Sequence, residues 1–268
     1  MRAYLAEFLS DPRVVPLPRW LWLPLLQIVL QIRSPRTAEK YAQIWTPEGS
    51  PLAVHTARQA KLAGADYAMR YGEPNIRAKD LRGGIVVPLY PQYADSTTGS
   101  ILDLVPPETK VVRDFHDHPA YIAALAAVQR RHWQKQGRAP MLVMSFHGLP
   151  KRSAGVYHEQ CLRTARLLAK ELGLPDEQWQ ATFQSRFGYA AWLEPHTEPT
   201  LIGLARSGVE RVDVACPGFV ADCLETLEEI GIRARERFVA AGGSELRLVE
   251  CLNEAPEWIA ALREIAHA

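Results

Sequence analysis

The chain has 268 residues, 47% hydrophobic and 23% charged, with a formal net charge of +1. At roughly 150 residues per domain this is about two domains with a sizeable core, which excludes wholesale disorder. The near-zero net charge speaks against a uniformly basic nucleic-acid binder, so no nucleic-acid partner is expected.

The N-terminal stretch, MRAYLAEFLSDPRVV, carries acids and lacks the apolar core of a secretory signal. The most apolar stretch follows at 20–30, WLWLPLLQIVL, with Pro24 and Gln27 inside it. A membrane-spanning helix needs about 20 apolar residues, so this stretch is too short. Two readings of it stay open. It is a buried segment or lip of the fold, or an apolar collar that touches a membrane surface or a greasy ligand. Trp20 and Trp22, flanked by Arg19 and Arg33, suit an interface.

Further along, short apolar runs alternate with amphipathic stretches. Strands are predicted at 67–71, 85–90, 110–115, 141–146, 181–184, 212–216 and 246–251. Helices are predicted at 119–136, 158–172, 198–207 and 221–241, with a closing helix over 255–268. Continuous apolar strands alternating with helices predict an α/β fold with parallel sheets flanked by helices. Pro106, Pro107 and the polar string from Asp114 to Pro119 interrupt the pattern. The expected division is therefore 1–113, 114–254 and the helix 255–268. Cys161, Cys216, Cys223 and Cys251 are too scattered for a disulfide framework and form no C-x-x-C pair. They read as reduced, hence a cytoplasmic location.

Several predicted strand ends carry chemistry. In SFHGLP an apolar strand delivers His147 at its carboxyl end, followed by Gly148 and Pro150. Ligands of open α/β sheets sit outside those ends, so His147 is placed as a base or metal ligand, or simply caps the strand. In CPGFVADCLETLEEI a strand ends in a Pro-Gly turn and a helix begins. Asp222, Glu225 and Glu229 share one helical face, where like charges repel. They serve the helix dipole or form an acidic track for a cation and protons. FQSRFG and the turn after PLYPQY are further strand ends, with Trp192 close behind the first. Arg70 and Tyr71, in MRYGEP, end another strand and could reach the same cleft. No complete P-loop, dinucleotide fingerprint or nucleophile elbow is present.

Together these motifs resemble the ferrochelatase family, which inserts ferrous iron into a porphyrin in haem synthesis. SFHGLP resembles its His signature, and FQSRFG, WLEP and CPGFVADCLETLEEI resemble its bacterial members. YLAEFLSDPRVV, IWTPEGSPL, MRYGEP and PLYPQY with STTG resemble its N-terminal half, so the likeness spans the chain. The resemblance implies two Rossmann-like domains with a porphyrin cleft between them. It implies His147 and Glu225 as catalytic residues, and His147, Glu225, Asp222 and Glu229 as the metal set. Arg70, Tyr71, Ser50, Pro150 and Trp192 would lie near the porphyrin. Porphyrin and ferrous iron are then the substrates, with no permanently bound cofactor and with peripheral membrane contact through 20–30.

The sequence also departs from the family. It starts inside the helix that follows the family's first strand, so the N-terminal domain is expected to lack that strand. The stretches 72–85, 101–111 and 151–158 are short. Some members hold an iron–sulfur cluster through cysteines. One of those would fall at Asp95, so no such cluster is expected. The expected reaction is insertion of ferrous iron into protoporphyrin IX. The alternatives are a non-catalytic porphyrin- or haem-binding remnant and a chelatase for coproporphyrin or another tetrapyrrole.

Overall fold

The structure, a computed structural model, describes residues 1–186, 188 and 190–268. Phe187 of the FQSRFG motif, and Tyr189, lie outside the described residues. The chain opens with two helices, α1 (Arg2–Ser10) and α2 (Arg19–Ala42). The apolar stretch at 20–30 is thus the first half of a 24-residue helix that continues past Pro24 and Pro35. One stripe of α2, formed by Trp22, Leu26, Val29 and Leu30, packs on Leu5 and Leu9 of α1. These positions follow the i, i+4, i+7, i+8 spacing of one helical face. Among the described residues no helix is long and apolar enough to cross a membrane.

Helix α3 (Pro51–Ala63) has Pro51 at its first position and Gly64 in the left-handed conformation just past its end. Both choices follow backbone geometry: proline fits where no amide bond is needed, glycine where φ is positive. Strands β1 (Ile85–Val86) and β2 (Lys110–Val111) then form a parallel pair, with a short helix α4 (Ser100–Leu102) between them. The three strands predicted in this half are therefore largely not formed. Residues 67–71 contribute one isolated bridge, Met69 to Asn75, and the other two segments pair over two residues each. The physical reason is a shortage of partners. A parallel ladder is stable when neighbours flank it on both sides, and among the described residues no third strand joins this pair.

The second half is a doubly wound sheet. Its elements are α5 (Pro119–Gln136), β3 (Met141–His147), α6 (Tyr157–Leu172), β4 (Trp179–Gln184), α7 (Thr197–Arg206), β5 (Arg211–Ala215), α8 (Leu224–Leu227), α9 (Arg235–Ala240), β6 (Glu245–Leu248) and α10 (Pro256–His267). The strands run parallel in the order β4-β3-β5-β6. The main core, with Tyr121, Leu168 and Trp258, fills one face, and Leu201, Ile230 and Phe238 fill the other. The predicted single helix over 221–241 is broken into α8, a π-helical segment (Glu229–Ala234) and α9. At Gly231 a Cβ would sit 3.2 Å from Leu248 of β6, so the widened turn lies tight against the sheet.

Candidate active site

The connection after β3 leaves to one side, to β4, and the next strand, β5, lies on the other side. That reversal opens a crevice beyond the carboxyl ends of β3 and β5, where ligands of such sheets bind. His147 ends β3, after five consecutive buried residues. Its carbonyl accepts a hydrogen bond of 2.8 Å from the Tyr157 hydroxyl, and its ring meets Phe219 at 6.4 Å, nearly edge-to-face. Gly148 follows because nothing larger fits: a Cβ there would lie 2.5 Å from the Gln184 carbonyl oxygen and 3.4 Å from the Trp192 ring. Pro150 bridges to Trp192, whose ring lies against Gly148 and whose buried Nε1 lacks a hydrogen-bond partner.

Glu225 lies in the first turn of α8, across the crevice. Gln184, opposite His147 in the β3–β4 register, donates 2.8 Å from Nε2 to the Glu225 carbonyl. The Glu225 carboxylate is half-buried, and its charge acts on Tyr4 of α1, Tyr41 of α2, Tyr90 and Cys223. Burial pushes the Tyr4 and Tyr41 phenols well above the usual tyrosine range, and the Glu225 charge adds to it. Burial likewise pushes up the Cys223 thiol, and the Glu225 charge adds to it.

The four-residue metal set does not converge. Among the described residues no group of three or more His, Cys, Asp or Glu side chains is placed to hold an ion. Asp222 is buried and turned into the protein. It accepts hydrogen bonds from Thr226 at 2.9 Å, from the Asn253 side chain at 2.7 Å and from the Cys251 amide at 3.3 Å. Glu229 accepts from the Ser185 amide at 2.8 Å and hydroxyl at 2.6 Å, and pairs with Arg233 at 3.1 Å. Arg70 is 7% exposed and forms an ion pair with Asp11, with further bonds to Ser100. Tyr71 donates to the same Asp11 at 3.0 Å. Both line a cleft of about 180 Å³ with Glu7, Arg19 and Arg77. Ser50 caps α3 through its backbone, its carbonyl accepting from Val54. Tyr41 escapes sequence reasoning, and Tyr4, Tyr90 and Phe219 lie inside the quoted motifs without any spacing that singles them out.

The family profile described as Ferrochelatase matches residues 1–268. The chain is 53% identical over 300 residues to the ferrochelatase of Aromatoleum aromaticum, covering 100% of this chain and 82% of that one. It is 54% identical over 292 residues to the ferrochelatase of Azoarcus, covering 98% and 80%. It is 49% identical over 296 residues to that of Bordetella pertussis, covering 99% and 82%. The chain belongs to the ferrochelatase family. It is accordingly a metal chelatase, a lyase that inserts a metal into a porphyrin for haem synthesis. The match to the Aromatoleum ferrochelatase extends over 300 residues against 268 here, so that relative carries internal residues this chain lacks. Among solved structures, CbiX, the terminal enzyme of siroheme biosynthesis in denitrifying bacteria, matches with a TM-score of 0.53 and 16% identity over 80% of this chain and 88% of that one. SirB from Bacillus subtilis, solved with Fe3+, matches with a TM-score of 0.52 and 14% identity over 81% and 88%. Both share the parallel-sheet α/β fold.

Proposed function

We propose that the chain inserts ferrous iron into protoporphyrin IX, with His147 and Glu225 as the catalytic residues. The observation that supports this reading is that His147 ends β3 at the sheet's switch point against Phe219, and that Gln184, opposite it in the register, bonds the Glu225 carbonyl. Metal insertion must remove pyrrole protons from the ring and water from the cation. The His147 imidazole takes a proton as base, and the Glu225 carboxylate replaces water on the incoming ion. Trp192 and Phe219 offer flat apolar surfaces to a macrocycle, whose binding energy can bend it toward the metallated geometry. Iron is a substrate here, and no resident cofactor is invoked.

Protoporphyrin carries two carboxylates and coproporphyrin four. An exposed apolar stripe on α2, if the ring meets it, favours the less charged ring. That stripe also suits contact with a lipid surface while the protein itself stays in the cytoplasm. A competition assay with ferrous iron and equal protoporphyrin and coproporphyrin tests the substrate. Preferential consumption of protoporphyrin is expected, and preference for coproporphyrin would overturn it.

A further inference from the structure

We infer that Gln184 is the positioning residue that sets the separation of His147 and Glu225. The inference rests on the reading of those two as the reacting pair. Gln184 ends β4 directly opposite His147 and is buried. It grips the His147 strand on both sides of the imidazole. Its carbonyl accepts 2.8 Å from the Gly148 amide, and its Oε1 accepts 2.7 Å from the Ser145 hydroxyl. Its Nε2 donates 2.8 Å to the Glu225 carbonyl on the far wall. The amide orientation follows from chemistry, since a carbonyl can only accept and must face the NH2 group.

The grip is braced from behind. Ser145 shares a hydrogen bond of 2.8 Å with Thr197, which shares one of 2.9 Å with Thr182. The next residue, Ser185, has φ of +64°, a left-handed conformation unusual for a residue with a Cβ. That turn brings its amide and hydroxyl onto the Glu229 carboxylate. Two consecutive residues thus hold the acidic segment at Glu225 and again at Glu229, one turn on. Asparagine is too short to span Ser145 and Glu225, glutamate faces the carbonyl with charge, and methionine fills the space with no hydrogen bond. A displacement of about 1 Å between reacting groups can cost about 100-fold in rate.

The test uses the full chain with Gln184→Met and the near-isosteric Gln184→Glu, beside His147→Ala. Three readouts are taken: thermal melting, steady-state insertion into protoporphyrin, and Co2+ titration followed by its d–d absorption. Both Gln184 variants are expected to melt cooperatively and keep the porphyrin KM within about twofold. They are expected to lose about tenfold or more in kcat and in Co2+ affinity, with a shifted d–d band. A merely structural Gln184 would lower the melting temperature while kcat per folded molecule and the Co2+ band stayed as in the parent, which overturns the inference. If His147→Ala abolishes Co2+ binding while both Gln184 variants are silent, positioning alone fails. If His147→Ala leaves Co2+ binding intact, the reading of the site fails and the inference falls with it. Should Gln184→Met not fold, Gln184→Glu decides by the same criteria.

Discussion

His147 sits at the end of a strand of five consecutive buried residues, with its ring against Phe219. Replacing it with alanine is expected to lower turnover by about 100-fold or more, with melting unchanged, as removal of a general base does. The sequence made this residue legible because an apolar run ending in His-Gly announces a strand's carboxyl end. Asp222 and Glu229 were less legible. Helical spacing says that Asp222, Glu225 and Glu229 share a face, but it does not say what lies opposite that face. The structure puts Asn253 and Thr226 against Asp222, and Ser185 and Arg233 against Glu229. Asp222→Asn would place a second amide against the Asn253 NH2 group and leave buried donors unpaired. A stability loss of about 1–3 kcal/mol is expected by urea unfolding. An unchanged midpoint would return Asp222 to solvent or to the metal path.

Helix α2 carries two apolar stripes at the scale of the element. Trp22, Leu26, Val29 and Leu30 are taken up by α1, whereas Leu21, Leu25, Ile28 and Ile32 are left exposed, as is Trp20 at 78%. The buried reading of 20–30 describes one face of the helix, and the other face is exposed and apolar. If the vacant stripe meets lipid, the chain co-sediments with anionic liposomes and Ile28→Ser with Trp20→Ala reduces that binding several-fold. Equal binding of parent and variant would remove the stripe from the account. The same helix pair buries the Tyr4 and Tyr41 phenols, and the Glu225 charge acts on both. Their folded phenols titrate above the unfolded value of about 10, so burial stabilises the fold below that pH. The stability is lost as pH rises past about 10, because only the unfolded chain then sheds the protons. Tyr4→Phe and Tyr41→Phe are expected to flatten that alkaline limb in melting curves recorded between about pH 9 and 11. The broken helix after Asp222 was not legible, since the close approach of Gly231 to Leu248 depends on a strand seventeen residues later.

Across the whole molecule the halves are joined near the crevice. Lys40 of α2 pairs with the buried Glu228 at 3.1 Å, His55 of α3 contacts Glu254 at 2.9 Å, and Gln59 donates to the Val220 carbonyl at 3.1 Å. The C-terminal sheet was readable as apolar runs of the right length separated by helical stretches. The N-terminal half was not, because local pattern marks a strand whether or not a neighbour exists to pair with it. Hydrogen exchange is accordingly expected to show strong protection in β3 and β5 and weak protection in β1 and β2. Equal protection would mean that the N-terminal pair is part of a larger ladder. This chain, which lacks internal residues of its relatives, is expected to assemble a working metal-insertion site around His147. An anaerobic assay of the purified chain with ferrous iron and protoporphyrin IX, followed by absorbance beside His147→Ala, tests it most directly. Turnover in the parent, abolished by the substitution, is the expected result. Porphyrin binding without turnover in the parent, or turnover that survives His147→Ala, would contradict it.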